Sequence, residues 1–216
     1  MEISEIRRKG KSELYYVYVN GELFGLIQAE MIYKNKLKTG TNIDVSDLER
    51  IKQESDQLTC FSMALNYVAK MLKTEQQVRD YLKKHLFCQE AINGAIEKLK
   101  SYGYINDLQV ASFMLSSLQK RKGKNAIKQD LLQKGINKEQ VESLLCTLSG
   151  QAETCEMQAK KWLKSKSLPL DKNDKAKLYR FLIGKGFEFD IIKKVLNKIE
   201  IGGEDDWYWF GRKRKN

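Results

Sequence analysis

His85 is the only histidine among 216 residues, so a Ser-His-Asp or Cys-His relay would have to be built around it. It stands at the end of an amphipathic segment, in the place that Lys134 and Lys185 hold in two later segments. There it meets the negative end of a helix, which is a structural role. No GxxxxGK[ST] occurs and no GxGxxG follows a strand, so the usual phosphate cradles are missing. Cys60, Cys88, Cys146 and Cys155 form no CxxC pair and match no zinc spacing. In a reducing compartment they are expected as core residues rather than disulfides. Glu204-Asp205-Asp206 is an acidic run without metal-ligand spacing. These residues predict no catalytic centre, no metal and no cofactor, and hence a protein that is not an enzyme.

The chemistry that the sequence does support is polyanion binding. Residues 57–200 carry 26 Lys+Arg against 15 Asp+Glu, whereas residues 1–56 carry 9 against 10. Such an asymmetry favours nucleic acid or an acidic protein surface as partner. Its densest point is Lys120-Arg121-Lys122-Gly123-Lys124, with Lys128 one turn further on. Gly123 breaks the helix there and leaves cations at a helix start. That placement is unfavourable alone, and an arriving phosphate or carboxylate would relieve it. Lys120, Arg121, Lys122, Lys124 and Lys128 are therefore the first candidate binding face, and Arg79 and Lys83 the second. Lys160, Lys161 and Lys164, and Lys193, Lys194 and Lys198, add charge on two further faces. In the tail, Trp207-Tyr208-Trp209-Phe210 precedes Arg212-Lys213-Arg214-Lys215. That order suits either an aromatic clip on the last helices or base stacking with phosphate contact.

The elements that position these residues follow from patterning. Leu14 to Val19 and Leu23 to Ile27 are rich in β-formers, and Asn20-Gly21 between them supplies a tight type I′ turn, which predicts a β-hairpin. A short helix follows over Met31 to Leu37 and another opens near Asp44. Beyond residue 57 the chain repeats. Around the anchors Phe87, Ile136 and Phe187, apolar residues recur nine and five positions before and five, nine and twelve after: Val78, Leu82, Ile92, Ile96 and Leu99 in the first unit. The second has Ile127, Leu131, Val141, Leu145 and Leu148, and the third Leu178, Leu182, Ile192, Leu196 and Ile199. These spacings place each set on one helical face, so every unit is a helix pair with its turn at the anchor. Gly135 and Gly186 end their helices in the left-handed conformation, and Leu86 in that place demands a different or strained turn. Preceding helices over Leu58 to Leu72 (through Phe61, Leu65 and Val68), Asp107 to Arg121 (through Val110, Phe113, Met114 and Leu118) and Gln151 to Lys164 complete three-helix units. Thr74 to Gln77 and Asn137 to Gln140 read as capping boxes. The tyrosines and Ile105 of Tyr102-Gly103-Tyr104-Ile105-Asn106-Asp107 are expected to fill the joint between units one and two. The predicted fold is mainly α: three tandem three-helix repeats (57–106, 107–150, 151–200) in an elongated arrangement. A hairpin-bearing segment (1–56) precedes them and an aromatic and basic tail (201–216) follows.

Several of these stretches, in order, resemble the RecX family. Lys73-Thr74-Glu75 with Val78-Arg79 and Leu82 resembles its R-x-T/S-E-x-x-L/V-R-x-x-L opening. Leu99-Lys100-Ser101-Tyr102-Gly103-Tyr104-Ile105-Asn106-Asp107 with Ala111 is similar to its L-K-x-x-G-Y-I-[ND]-D motif. Lys122-Gly123, Ile127, Leu131 and Lys134-Gly135-Ile136 resemble K-G-x-x-x-I-x-x-E-L-x-x-K-G-I, with Asp130 in place of the usual Glu. The first unit has His85-Leu86 where the motif has Lys-Gly, and the aromatic and basic tail does not map onto these motifs. The resemblance implies a regulator that lies along the groove of RecA–DNA filaments and restrains ATP hydrolysis and strand exchange in DNA repair and the SOS response. Its partners would be RecA, the RecA–DNA filament and single- or double-stranded DNA. The rival reading is a sequence-independent helical repeat protein acting on DNA directly. No apolar run reaches the length of a membrane span and the N-terminus has no secretory h-region, so a cytoplasmic protein is expected. A monomer is expected as a separate matter.

Overall fold

The computed structural model describes residues 1–164 and 172–201. Pro169 and the aromatic and basic tail lie outside the described residues, as does the acidic run at 204–206. The chain divides into two units, Met1–Asp107 and Leu108–Asn216.

The first unit opens with an antiparallel sheet of β1 (Ile3–Arg8), β2 (Leu14–Val19) and β3 (Glu22–Gln28), in that spatial order. The expected hairpin is present, with Asn20 and Gly21 at φ 49° and 86°. Strand β1 is an addition to the sequence reading. It carries only Ile3 and Ile6 as apolar residues among charged ones, the composition of an edge strand. Helix α1 (Ala29–Lys34) follows and α2 runs unbroken from Val45 to Val68. The break expected at residue 57 therefore falls inside one helix. Ser55 and Cys60, both fully buried, show why the periodicity misleads. Leu48, Ile51 and Ser55 face the sheet core with Ile3, Val17 and Ile27, while Cys60, Ala64 and Val68 face the next core. The five-residue step between Ser55 and Cys60 turns the buried face by about 140° at ~100° per residue. One helix thus serves two cores, with no Gly or Pro to interrupt it. Phe61 and Leu65, expected as the core line, are only partly buried.

Helices α3 (Glu75–Lys84) and α4 (Gln89–Ser101) complete the first repeat with the C-terminal half of α2. Thr74 forms the predicted capping box with Gln77. Val78, Leu82, Ile92, Ile96 and Leu99 are all buried. The turn after α3 keeps the geometry of the later repeats: Leu86 N–H donates to Lys83 O at 2.9 Å and Phe87 N–H to Leu82 O at 3.5 Å. Leu86 itself takes φ 62°, so the turn is strained rather than different, at roughly 1–2 kcal/mol for a left-handed L-residue. Gly103 ends α4 at φ 73° and Ile105 is buried. The joint differs from expectation: Ile105 packs into the first repeat's own core, whereas Tyr102 and Tyr104 are exposed, with Tyr102 edge-on to Phe61.

In the second unit, α5 (Asp107–Leu118), α6 (Lys124–Gln133) and α7 (Lys138–Cys146) form repeat two. Repeat three consists of α8 (Gln151–Leu163), α9 (Lys172–Gly184) and α10 (Phe189–Ile201). Ile127, Leu131, Ile136, Val141 and Leu145 centre one core, and Leu178, Leu182, Phe187, Ile192 and Val195 the other. Gly135 and Gly186 are left-handed as expected, at φ 81° and 83°. Of the residues expected along α5, Val110 is buried and Met114 and Leu118 pack partly buried against the core, whereas Phe113 is exposed and Ala111 and Leu115 are buried in its place. Asn137 caps α7 by accepting from Glu139 N–H at 2.8 Å, one residue short of a capping box. Of the cysteines, Cys60 and Cys155 are core residues whose thiols burial pushes up to about 12 and about 11. Cys88 and Cys146 are exposed, contrary to expectation, because each sits at a helix terminus. None of the described helices is long and apolar enough to cross a membrane.

Candidate functional site

The basic turn is fixed by its backbone before its side chains are considered. After Leu118 the chain coils once more, with Arg121 and Lys122 N–H donating to Leu118 O at 2.8 and 2.9 Å. Helix α8 then presents Gln151, Thr154 and Gln158, spaced to share one face. Thr154 Oγ1 donates to Gln119 O at 3.2 Å, Gln158 Nε2 to Lys120 O at 3.4 Å, and Gln151 Oε1 accepts from Lys124 N–H at 2.7 Å. From the other side the α9–α10 turn supplies two carbonyls. Gly123 N–H donates to Lys185 O at 2.8 Å and Asn125 N–H to Gly186 O at 3.0 Å. The approach is so close that a Cβ on Gly123 would overlap the backbone of Gly186 and Phe187, and one on Gly186 would overlap Ala126. Glycine is required at both positions by space, and at Gly186 by its positive φ as well.

This arrangement corrects one expectation. The amides of Gly123, Lys124 and Asn125 at the start of α6 are already engaged, so an anion cannot take them without displacing internal acceptors. Whatever the turn binds, it binds through side chains. Those divide into two sets. Lys122 Nζ lies 2.6 Å from Asp130 Oδ2, and Lys128 Nζ 3.1 Å from Glu142 Oε1. The Lys128 hydrogen bond holds the Glu142 carboxyl below its ordinary value. Both lysines therefore brace the repeat. Lys120 and Arg121 are exposed and Lys124 half-buried, with Arg121 Nη2 donating to Ser117 Oγ at 3.3 Å. Among the described residues, no carboxylate pairs with these three. The structure also brings Lys185 to the turn by its backbone, while its ammonium sits 5.4 Å above the Phe181 ring.

The second candidate pair lies in the first unit and also divides. Arg79 is held by Glu75 and Asn93, each at 2.7 Å, and Lys83 is exposed. Lys100 joins Arg79 on Glu75. Burial works against ionisation of Glu75, but hydrogen bonds from Lys100 and Arg79 outweigh it and hold the carboxyl below its ordinary value. Asp107 Oδ1 accepts from Glu75 N–H at 2.9 Å, and burial raises its carboxyl. Here the first residue of α5 caps the first amide of α3, as the first residue of α8, Gln151, caps that of α6. His85 ends α3 with Nδ1 2.9 Å from Tyr81 O, the helix-terminal place expected of it. In repeat three, Lys160 and Lys198 meet on Glu156 at 2.7 and 3.7 Å, which leaves Lys161, Lys164, Lys193 and Lys194 as exposed cations.

Sequence reasoning missed Gln151, Thr154, Lys185 and Gly186 as supports of the turn. Their task is to meet backbone groups about thirty to sixty residues away in sequence, and no spacing within α8 or the α9–α10 turn announces that.

The comparisons with known proteins agree with this architecture. Residues 60–99, 106–145 and 150–196 match the first, second and third three-helix domains of RecX respectively. The chain is 32% identical over 208 residues to the regulatory protein RecX of Clostridium beijerinckii, covering 94% of this chain and 97% of that one. With the regulatory protein RecX of Clostridium tetani it shares 31% over 199 residues, covering 90% and 92%. A crystal structure of regulatory protein RecX superposes with a TM-score of 0.65 at 23% identity, covering 91% of this chain and 98% of the other. That of RecX from Lactobacillus salivarius gives 0.61 at 28% identity, covering 68% and 97%. Three matched domains in order, and relatives matched over nearly their whole length, place this chain in the RecX family.

Proposed function

We propose that this protein regulates RecA by binding RecA–DNA filaments, without catalysis of its own. It acts in the cytoplasm as a monomer, in homologous recombination, DNA repair and the SOS response, and it restrains ATP hydrolysis and strand exchange. The observation that carries this reading is the basic turn: a backbone held on both sides, with Lys120, Arg121 and Lys124 lacking acidic partners among the described residues. A pre-organised turn loses little entropy on binding, so its charges act at full effect. Its three cations would face phosphates or carboxylates of the filament, while Lys122, Lys128 and Arg79 hold the repeats in shape and Lys83 adds an outlying contact. A binder of this kind shifts a filament between states only by its difference in affinity for them, which makes regulation a matter of contact geometry.

The triple substitution K120E/R121E/K124E should leave helicity and thermal midpoint near wild type and lower affinity for RecA–DNA filaments by about two orders of magnitude. Fluorescence anisotropy of a labelled protein against preassembled filaments measures this. Unchanged affinity in a folded triple variant would remove the turn from the interface. Equal loss on bare DNA and on filaments would favour the direct DNA-binding reading.

A further inference from the structure

Leu86 combines two costs that bring the fold nothing. Its φ is 62°, a conformation the equivalent Gly135 and Gly186 adopt without a Cβ to strain. Its side chain is 92% exposed, the highest exposure of any large apolar residue among the described residues. The hydrogen bonds of its turn are those of the other two repeats, so the leucine is not needed to make the turn. The core below it is closed by Leu82 and the partly buried Phe87. Strain held at an exposed position, where a cheaper residue would serve, points towards function rather than folding.

We infer that Leu86 is an apolar knob that inserts into a protein pocket rimmed by carboxylates on the RecA filament. This rests on the function proposed above. The chemistry of the pocket follows from what surrounds the knob. Lys83 and Lys84 are exposed in the preceding turn of α3, and the exposed His85 ring is held in place by Tyr81, 4.5 Å from its ring and 2.9 Å from its carbonyl. An exposed apolar side chain that follows two exposed lysines suits a dry cavity with an acidic rim, the arrangement of an interface anchor. A phosphate backbone would satisfy the lysines and leave the leucine in water.

The test exploits opposite signs. L86G should raise the thermal midpoint by roughly 4 °C, by relief of strain, and lower affinity for RecA–DNA filaments about tenfold. L86M, which keeps an apolar side chain, should bind filaments within about twofold of wild type. A residue that serves only the fold would not lose binding as stability rises. If wild type binds filaments and L86G binds them equally well, the knob is wrong while the regulatory reading stands. If wild type does not bind filaments at all, that reading fails and the knob with it. Equal loss of affinity for bare single-stranded DNA would make Leu86 a wedge between bases and overturn the protein pocket. Self-association of L86G by sedimentation would instead make the leucine a block against stacking of copies, which also overturns it.

Discussion

Glu75 shows how single residues divide between holding the fold and facing outward. It collects Arg79 and Lys100 on a carboxylate that is one-quarter exposed, and its backbone amide donates to Asp107. A carboxyl held below its ordinary value stabilises the fold above the unfolded value, and that contribution is lost as pH falls through the folded one. E75Q should therefore cost about 1 kcal/mol at neutral pH and show less acid sensitivity than wild type below the ordinary carboxylate value of 4.5. Urea midpoints at neutral and acidic pH measure both effects; equal acid sensitivity would show that the pair does not couple to folding. At this scale the sequence was a partial guide. The cations at 120, 121, 122, 124 and 128 are legible as a cluster, but not which of them are neutralised. Lys122 reaches Asp130 eight residues on and Lys128 reaches Glu142 on the next helix, and only the folded turn brings those carboxylates close.

At the scale of elements, the informative object is the joint between the α5–α6 turn and repeat three. Three polar side chains of α8 and two carbonyls of the α9–α10 turn meet backbone groups of residues 119–125. This requires main chain against main chain at Gly123. G123A should cost about 3 kcal/mol, because the backbones of residues 123 and 186 cannot both stay where they are. Equilibrium denaturation reads the loss, and hydrogen exchange should show it concentrated in residues 108–201; a change under about 0.5 kcal/mol would mean the approach relaxes freely. Helix pairs around Phe87, Ile136 and Phe187 were readable because a single periodic face decides them, and all fifteen flanking positions proved buried or half-buried. Helix α2 was not, because it changes its buried face between Ser55 and Cys60, and a period that breaks reads as two helices. Strand β1 was missed because charged edge strands carry almost no apolar signal.

At the scale of the whole molecule, the repeats explain how a chain of net charge +11 can carry so many cations outside its cores. Repetition builds surface cheaply: each unit needs only a small core, and the residues outside it are available for a partner. The family membership was legible from linked motifs, since the Lys-Gly and Gly-Tyr-Ile elements sit at turns and joints where backbone geometry restricts the choice of residue. What those motifs do not specify is the exposed surface, where Leu86 and the tyrosines at 102 and 104 depart from a purely structural reading. The central claim, that the protein acts on the recombinase filament, is tested most directly by RecA's DNA-dependent ATP hydrolysis. The protein is titrated in at fixed moderate salt with single-stranded DNA saturating. The account predicts that hydrolysis falls at protein levels well below those of RecA, because action on a filament needs few copies whereas masking DNA needs near-stoichiometric amounts. No effect at any ratio, despite tight binding to DNA alone, would contradict it.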